Sequence, residues 1–129
     1  MYKIFILFIF ISAAAKATDP YPKNPAIDVI QYTFHLQVND STDVIAGKAF
    51  ISIKFKKPTT EFELDLINQD KFGKGMRVSS VLAERNKLAF NHSANRLKII
   101  LTNPAKENEL LTFEINYSGI PQDGLIIGN

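Results

Sequence analysis

Hydrophobic and polar positions alternate with period two along much of this chain, most regularly between Pro25 and Phe55. Ile30, Tyr32, Phe34, Leu36 and Val38 fall on one side of the alternation and Gln31, Thr33, His35 and Gln37 on the other, the pattern of a half-buried antiparallel strand. Downstream, Ile45, Gly47, Ala49, Ile51, Ile53 and Phe55 alternate with Ala46, Lys48, Phe50, Ser52 and Lys54. Between the runs, Asn39-Asp40-Ser41-Thr42-Asp43 is rich in turn formers. Together they predict a hairpin with one wetted face.

Turn signals recur at short intervals after this pair, and the runs between them predict strands near 28–38, 44–56, 60–67, 76–83, 87–91, 95–101 and 110–118. Short strands at this spacing, with almost no helix, indicate an all-β antiparallel β-sandwich. Two stretches admit a second reading. Val78, Val81, Leu82, Arg85 and Ala89 also fall near one helical face, although β-branched residues and Glu84-Arg85-Asn86 favour strand and turn. Pro104 to Leu111 fits either one helical turn capped by Asn103 or a polar loop. Across the sandwich, Tyr32, Phe34 and Leu36 are expected to face Phe113, Ile115 and Tyr117. In such a site Phe34→Ala would cost about 3–5 kcal/mol.

Composition changes the picture at the amino terminus first. Lys3, the unbroken apolar run Ile4 to Ile11 and the small residues of Ala15-Lys16-Ala17 form an export signal over residues 1–17, cleaved after Ala17. The run is too short for a membrane anchor, so the chain is expected to be secreted or periplasmic, with no membrane attachment after cleavage. Losing Lys3 and Lys16 reduces the 15 basic residues to 13 against 13 acidic ones. A neutral domain whose one lysine cluster is Lys54, Lys56 and Lys57 gives no case for nucleic acid. With no cysteine, stability must come from a packed core rather than disulfides. Residues 18–27, with Pro20, Pro22 and Pro25, read as an extended lead-in, and 28–129 as the sandwich domain.

No catalytic, cofactor-binding or metal-binding residue can be assigned. His35 lies on the polar side of the first strand, and His92 sits in Asn91-His92-Ser93-Ala94-Asn95, which reads as a hairpin turn. Glu61, Glu63 and Asp65 alternate opposite Phe62, Leu64 and Leu66, which makes them a solvated face rather than paired acid–base carboxylates. Asn39, Asn91 and Asn116 each begin a glycosylation-type triplet, the third within a predicted strand. Gly73-Lys74-Gly75 lacks the strand-to-helix context of a phosphate loop and reads as a connection.

The spacing of Tyr32, Leu36 and Val38 with Ile45, Gly47, Ala49 and Ile53 resembles the opening strands of M1-class zinc aminopeptidases, the family of aminopeptidase N and leukotriene A4 hydrolase. Leu64-Asp65-Leu66 with Met76, Val78 and Val81 resembles the family's next strand pair. Phe113 to Ile120, followed by Gly124-Leu125, resembles the strand that ends in its Tyr-x-Gly turn. The resemblance covers roughly Ala26 to Asn129 and implies a partial, saddle-like N-terminal β domain without the catalytic domain. It implies zinc and a peptide substrate only for a full-length enzyme, whose catalytic domain would be the missing partner. The family holds zinc with His-Glu-x-x-His and a distant Glu, and neither that motif nor Gly-x-Met-Glu-Asn occurs in this chain. The apolar stretch Leu125 to Ile127 is expected to be a segment cut from its partner, promoting association. The alternative is an autonomous exported β-sandwich that binds a ligand, of adhesin or carbohydrate-binding type. Genomic sequence encoding the two missing motifs downstream would separate these readings.

Overall fold

The computed structural model describes residues 23–122. The expected export signal, most of the proline-rich lead-in and Leu125 to Ile127 lie outside these residues. Eight strands follow in order: β1 (Ile27–Asn39), β2 (Thr42–Phe55), β3 (Thr59–Asp65), β4 (Gly75–Ala83), β5 (Asn86–Lys87), β6 (Ala89–Ser93), β7 (Arg96–Ala105) and β8 (Leu110–Ile120). All pair antiparallel, in a five-stranded sheet of order β1-β2-β8-β4-β5 and a three-stranded sheet of order β3-β7-β6. The expected β-sandwich is therefore present, and it is not closed into a barrel.

The second apolar run behaves as its period implies. Ala49, Ile51, Ile53 and Phe55 are buried, and across the strand pair they meet Ile115, Phe113 and Leu111 of β8 on the same face. The smaller sheet answers with Phe62 of β3 and Leu97 and Ile99 of β7. Phe55, Phe62 and Phe113 form a three-ring cluster with centroids 4.9 to 6.3 Å apart and every pair edge-on, the arrangement that ring quadrupoles favour. These rings join the two sheets.

The wetted faces are laced with polar pairs. On the larger sheet, Lys48 Nζ lies 2.9 Å from Glu114 Oε1, and Asn116 donates to both Glu114 and Ser80. The Lys48 hydrogen bond, helped by Asn116, holds the Glu114 carboxyl below its ordinary pKa. On the smaller sheet, Lys98 pairs with Glu61 at 2.7 Å and Arg96 with Asp65 at 3.1 Å. The alternating Glu61, Glu63 and Asp65 are all exposed, as expected of a solvated face.

The region from Met76 to Phe90 is strand and turn, the reading that its β-branched residues and Glu84-Arg85-Asn86 favour. Other expectations are corrected. The run expected near 87–91 is divided between β5 and β6, and the β4–β5 turn uses positive φ at Glu84 and Arg85, the backbone twist a tight hairpin requires. Pro104 belongs to β7, so the helical turn does not form and the chain reverses instead around Asn108 at φ 65°. His92 stands within β6, and the hairpin turn is Ala94-Asn95, both with positive φ.

The largest correction concerns β1. Tyr32, Phe34 and Leu36 do not face Phe113, Ile115 and Tyr117 across the sandwich, because β1 and β8 lie in the same sheet, separated by β2. Nor is the stripe half-buried: Ile30, Tyr32, Phe34, Leu36 and Val38 are 53 to 58% exposed. A bulge between Val29 and Gln31 shifts the alternation, so that Val29 aligns with Ile53 and then Tyr32 with Ile51. Ile30 is the extra residue.

Phe113→Ala, at a fully buried ring, should lower unfolding free energy by about 3–5 kcal/mol, whereas Phe34→Ala should stay within about 1 kcal/mol of the parent. Urea unfolding of both variants measures this, and equal losses would contradict the assignment of the core.

Candidate functional site

Five strands cannot be covered by three. Phe62 of β3 packs on Phe55 of β2 and Phe113 of β8, and β6 contacts β4, while Tyr32, Phe34 and Leu36 in the middle of β1 stay exposed. A cleft of about 700 Å³ is floored by Tyr32, Phe34, Leu36, Ala49, Ile51 and Ile115 and walled by Glu63 to Asp65 of β3, the following Leu66, and Arg96 and Leu97 of β7. Tyr32 and Phe34 stack at 5.9 Å with their planes 8° apart, so the floor carries a continuous aromatic strip.

At one end of the cleft the Tyr117 ring lies over Gly47. A Cβ built at Gly47 would sit 2.3 Å from the ring carbon Cζ of Tyr117, well inside contact distance. Glycine at this point is thus what allows the phenol to lie flat on β2, the way an aromatic ring covers a strand glycine. Burial among these neighbours pushes the Tyr117 hydroxyl above its ordinary pKa. No signal in the sequence reveals this contact, because Gly47 and Tyr117 are ordinary members of their alternations until the register aligns them.

A polar cluster joins the segment after β3 to β6 and the β6–β7 turn. Asn68 and Asn95 exchange reciprocal bonds, each side-chain oxygen accepting from the other's backbone N–H at 3.1 and 2.6 Å. His92 Nε2–H donates to the Leu66 carbonyl oxygen at 2.9 Å. This histidine is part of the clasp between the β3–β4 connection and the smaller sheet. The Gly73-Lys74-Gly75 segment wraps around Asp70, whose Oδ1 accepts from the backbone of Phe72 and Lys74. It is a connection, as expected, with Lys74 N–H held by the Asp70 carboxylate and Gly73 N–H by the Asp70 carbonyl oxygen.

The other residues weighed from the sequence do not converge. His35 is exposed on the outer face, edge-on to Phe50 at 5.5 Å, while His92 belongs to the other sheet. Asn39 is exposed at the β1–β2 turn, Asn91 is exposed on β6, and Asn116 is engaged within β8. Among the described residues no three His, Cys, Asp or Glu side chains come together as metal ligands. What the cleft offers is apolar contact on β1 and β2, and among the described residues β1 and β3 are edge strands of their sheets.

No protein-family model matches the chain, and no curated protein sequence matches it. Solved structures do. A two-domain M1 zinc metallopeptidase variant bound to L-arginine superposes with a TM-score of 0.65 at 22% identity, over 77% of this chain and 22% of its own. The M1 zinc metallopeptidase from Deinococcus radiodurans superposes at 0.64, with 22% identity over 75% of this chain and 21% of that one. A variant from the same organism bound to a Tyr-Ser-Ala substrate gives 0.64 over 76% and 21%. The chain therefore spans about a fifth of the length of the metallopeptidases it matches.

Raised pKa makes Tyr117 a pH-sensitive element of known sign. Between the ordinary phenol value, about 10, and the higher folded value, the unfolded chain has lost the proton and the folded chain retains it. Stability should therefore fall as pH rises through that interval. Tyr117→Phe should flatten the alkaline slope of a stability–pH profile, and an unchanged slope would contradict the assignment. Gly47→Ala, which displaces the ring, should cost about 1–3 kcal/mol and return the Tyr117 titration, followed by absorbance, toward its ordinary value. The fold these comparisons share with the chain is the all-β, two-sheet arrangement found in M1 zinc metallopeptidases.

Proposed function

We propose that this chain is the leading portion of the N-terminal β domain of an exported M1-type zinc aminopeptidase, a non-catalytic scaffold forming one wall of the peptide-substrate cleft. The observation that carries the reading is the superposition on M1 zinc metallopeptidases over 77% of this chain but only 22% of theirs. The uncovered strip on β1 supports it. Tyr32, Phe34 and Leu36 present more than half their surface to solvent in one continuous row, and such a surface is suited to packing against further protein of the same polypeptide. Zinc and peptide hydrolysis belong, on this reading, to the catalytic domain. Export rests on the leader at residues 1–17.

Coding DNA beyond codon 129 tests the proposal. An open or frameshifted remnant encoding Gly-x-Met-Glu-Asn and His-Glu-x-x-His is the expected result, and unrelated sequence after a clean stop would overturn it. The chain by itself should bind no stoichiometric zinc, since a catalytic site requires three protein ligands and an open position. Metal analysis showing one tightly held zinc per chain, lost in His35→Ala, would contradict that expectation.

A further inference from the structure

We propose that Asn91 is the acceptor for an N-linked glycan, because among the chain's three Asn-x-Ser triplets it alone has a carboxamide that the fold leaves free to carry a sugar. The inference goes beyond the scaffold role and rests on one part of that reading, export through the leader at residues 1–17.

Transfer joins asparagine Nδ2 to C1 of a polyprenyl-diphosphate-linked oligosaccharide. The Nδ2–C1 bond forms, the C1–O bond to the diphosphate breaks, Nδ2 gives up one proton and the lipid diphosphate leaves. A fold that keeps the product must leave Nδ2 outside its own bonds and open to solvent, with the hydroxyl two residues on beside the carboxamide. Triplets begin at Asn39, Asn91 and Asn116, and the structure separates them.

Asn91 meets each condition. It is exposed at the centre of β6, an edge strand that pairs with β7. Successive side chains of a strand alternate between its faces, so Asn91 and Ser93 share one face, where the Ser93 hydroxyl donates to Asn91 Oδ1 at 2.7 Å. That bond engages the oxygen and leaves Nδ2 without a partner among the described residues. His92, on the opposite face, bonds the Leu66 carbonyl oxygen at 2.9 Å, which anchors the strand with the two reacting side chains outward. A glycan here would also add bulk and hydroxyl groups along an open sheet edge, the cover that such edges need.

The other two triplets fail for different reasons. Asn116 lies in β8 between β2 and β4, and its Nδ2 donates to Ser80 Oγ and Glu114 Oε1, each at 3.1 Å. A sugar on that nitrogen would replace one of the two hydrogens these bonds use. Asn39 is exposed, but Asp40 sets a carboxylate between it and Ser41, which repels the anionic diphosphate donor. Its Oδ1 is taken by the Ser41 backbone N–H at 2.8 Å, a turn rather than a side-by-side arrangement of carboxamide and hydroxyl.

Translation of the full chain in the presence of microsomes tests the proposal, with its own leader and, in parallel, with a heterologous cleavable leader ahead of Thr18. The protease-protected product should run one glycan heavier and lose that increment to a peptide N-glycosidase. Asn91→Gln should abolish the increment, and Asn39→Gln and Asn116→Gln should leave it in place. Ser93→Ala should abolish it as well, while Ser93→Thr, which keeps the hydroxyl, should retain it. Peptide mapping of the protein exported by its own cells should find the sugar on the peptide that contains Asn91. Import behind the heterologous leader alone, with the glycan on Asn91, would refute the leader and uphold the site. Protected chain without an increment, an increment that survives Asn91→Gln, a sugar mapped to Asn39 or Asn116, or unmodified Asn91 in the naturally exported protein would overturn the proposal.

Discussion

Two sheets of unequal width share one hydrophobic layer, and nearly every other property of the molecule follows from that inequality. Where three strands lie over five, Phe55, Phe62 and Phe113 interlock and the flanking Ile53, Leu97 and Ile99 are at most 1% exposed. Each such side chain contributes about 1.5–3 kcal/mol of burial. Beyond the edge of β3 the same face of the larger sheet continues with the same kind of residue and gains almost none of that. One strand pair, β1 and β2, therefore has two energetic characters. β2 is held from both sides, whereas β1 enters the core only through Ile27 and Val29 at its start and beyond Ile30 relies on its ladder to β2.

Polar residues follow this division. The outer faces carry exposed ion pairs such as Lys98 with Glu61, each worth little by itself but sufficient to keep those faces wet. The inner rim is closed by directed bonds, with Asn68, Asn95 and His92 binding backbone groups that the ladders leave unpaired. Tight turns at Glu84-Arg85 and Ala94-Asn95 hold non-glycine residues at positive φ, a local cost of about 1–3 kcal/mol each that the surrounding ladders must offset. The strand framework dictates the turns, and the turn residues do not determine the framework.

Much of the fold was legible in the sequence, because period-two alternation reports directly on strands. β2, β4, β7 and β8 lie close to their expected bounds, and the solvated face of Glu61, Glu63 and Asp65 was readable from alternation against Phe62 and Leu64. The failures have a common physical source. Alternation shows which side of a strand is apolar and says nothing about whether another layer lies on that side. The row from Ile30 to Val38 looked like core for that reason. It also could not reveal the bulge at Ile30, which depends on β1 matching β2 residue by residue. His92 was misplaced because Asn91 to Asn95 has turn composition throughout, and only pairing with β7 decides that the reversal occurs at Ala94-Asn95. The contact of Tyr117 with Gly47 required register, which no local pattern encodes.

The overhang separates stability from interaction in a way that few small domains allow. In a fully covered sandwich, a substitution that alters a binding face usually also opens a cavity, and the cavity dominates the outcome. Here the strip on β1 rests on β2 without anything above it, so changes at Tyr32, Phe34 and Leu36 act on what the molecule touches and leave the aromatic cluster intact. The converse also holds. A change at Phe113 loosens both sheets and shifts the cleft floor through Ile51, its register partner in β2, so that it alters folding and surface together. Any partner of the strip binds a surface whose position is fixed by a core it does not enter.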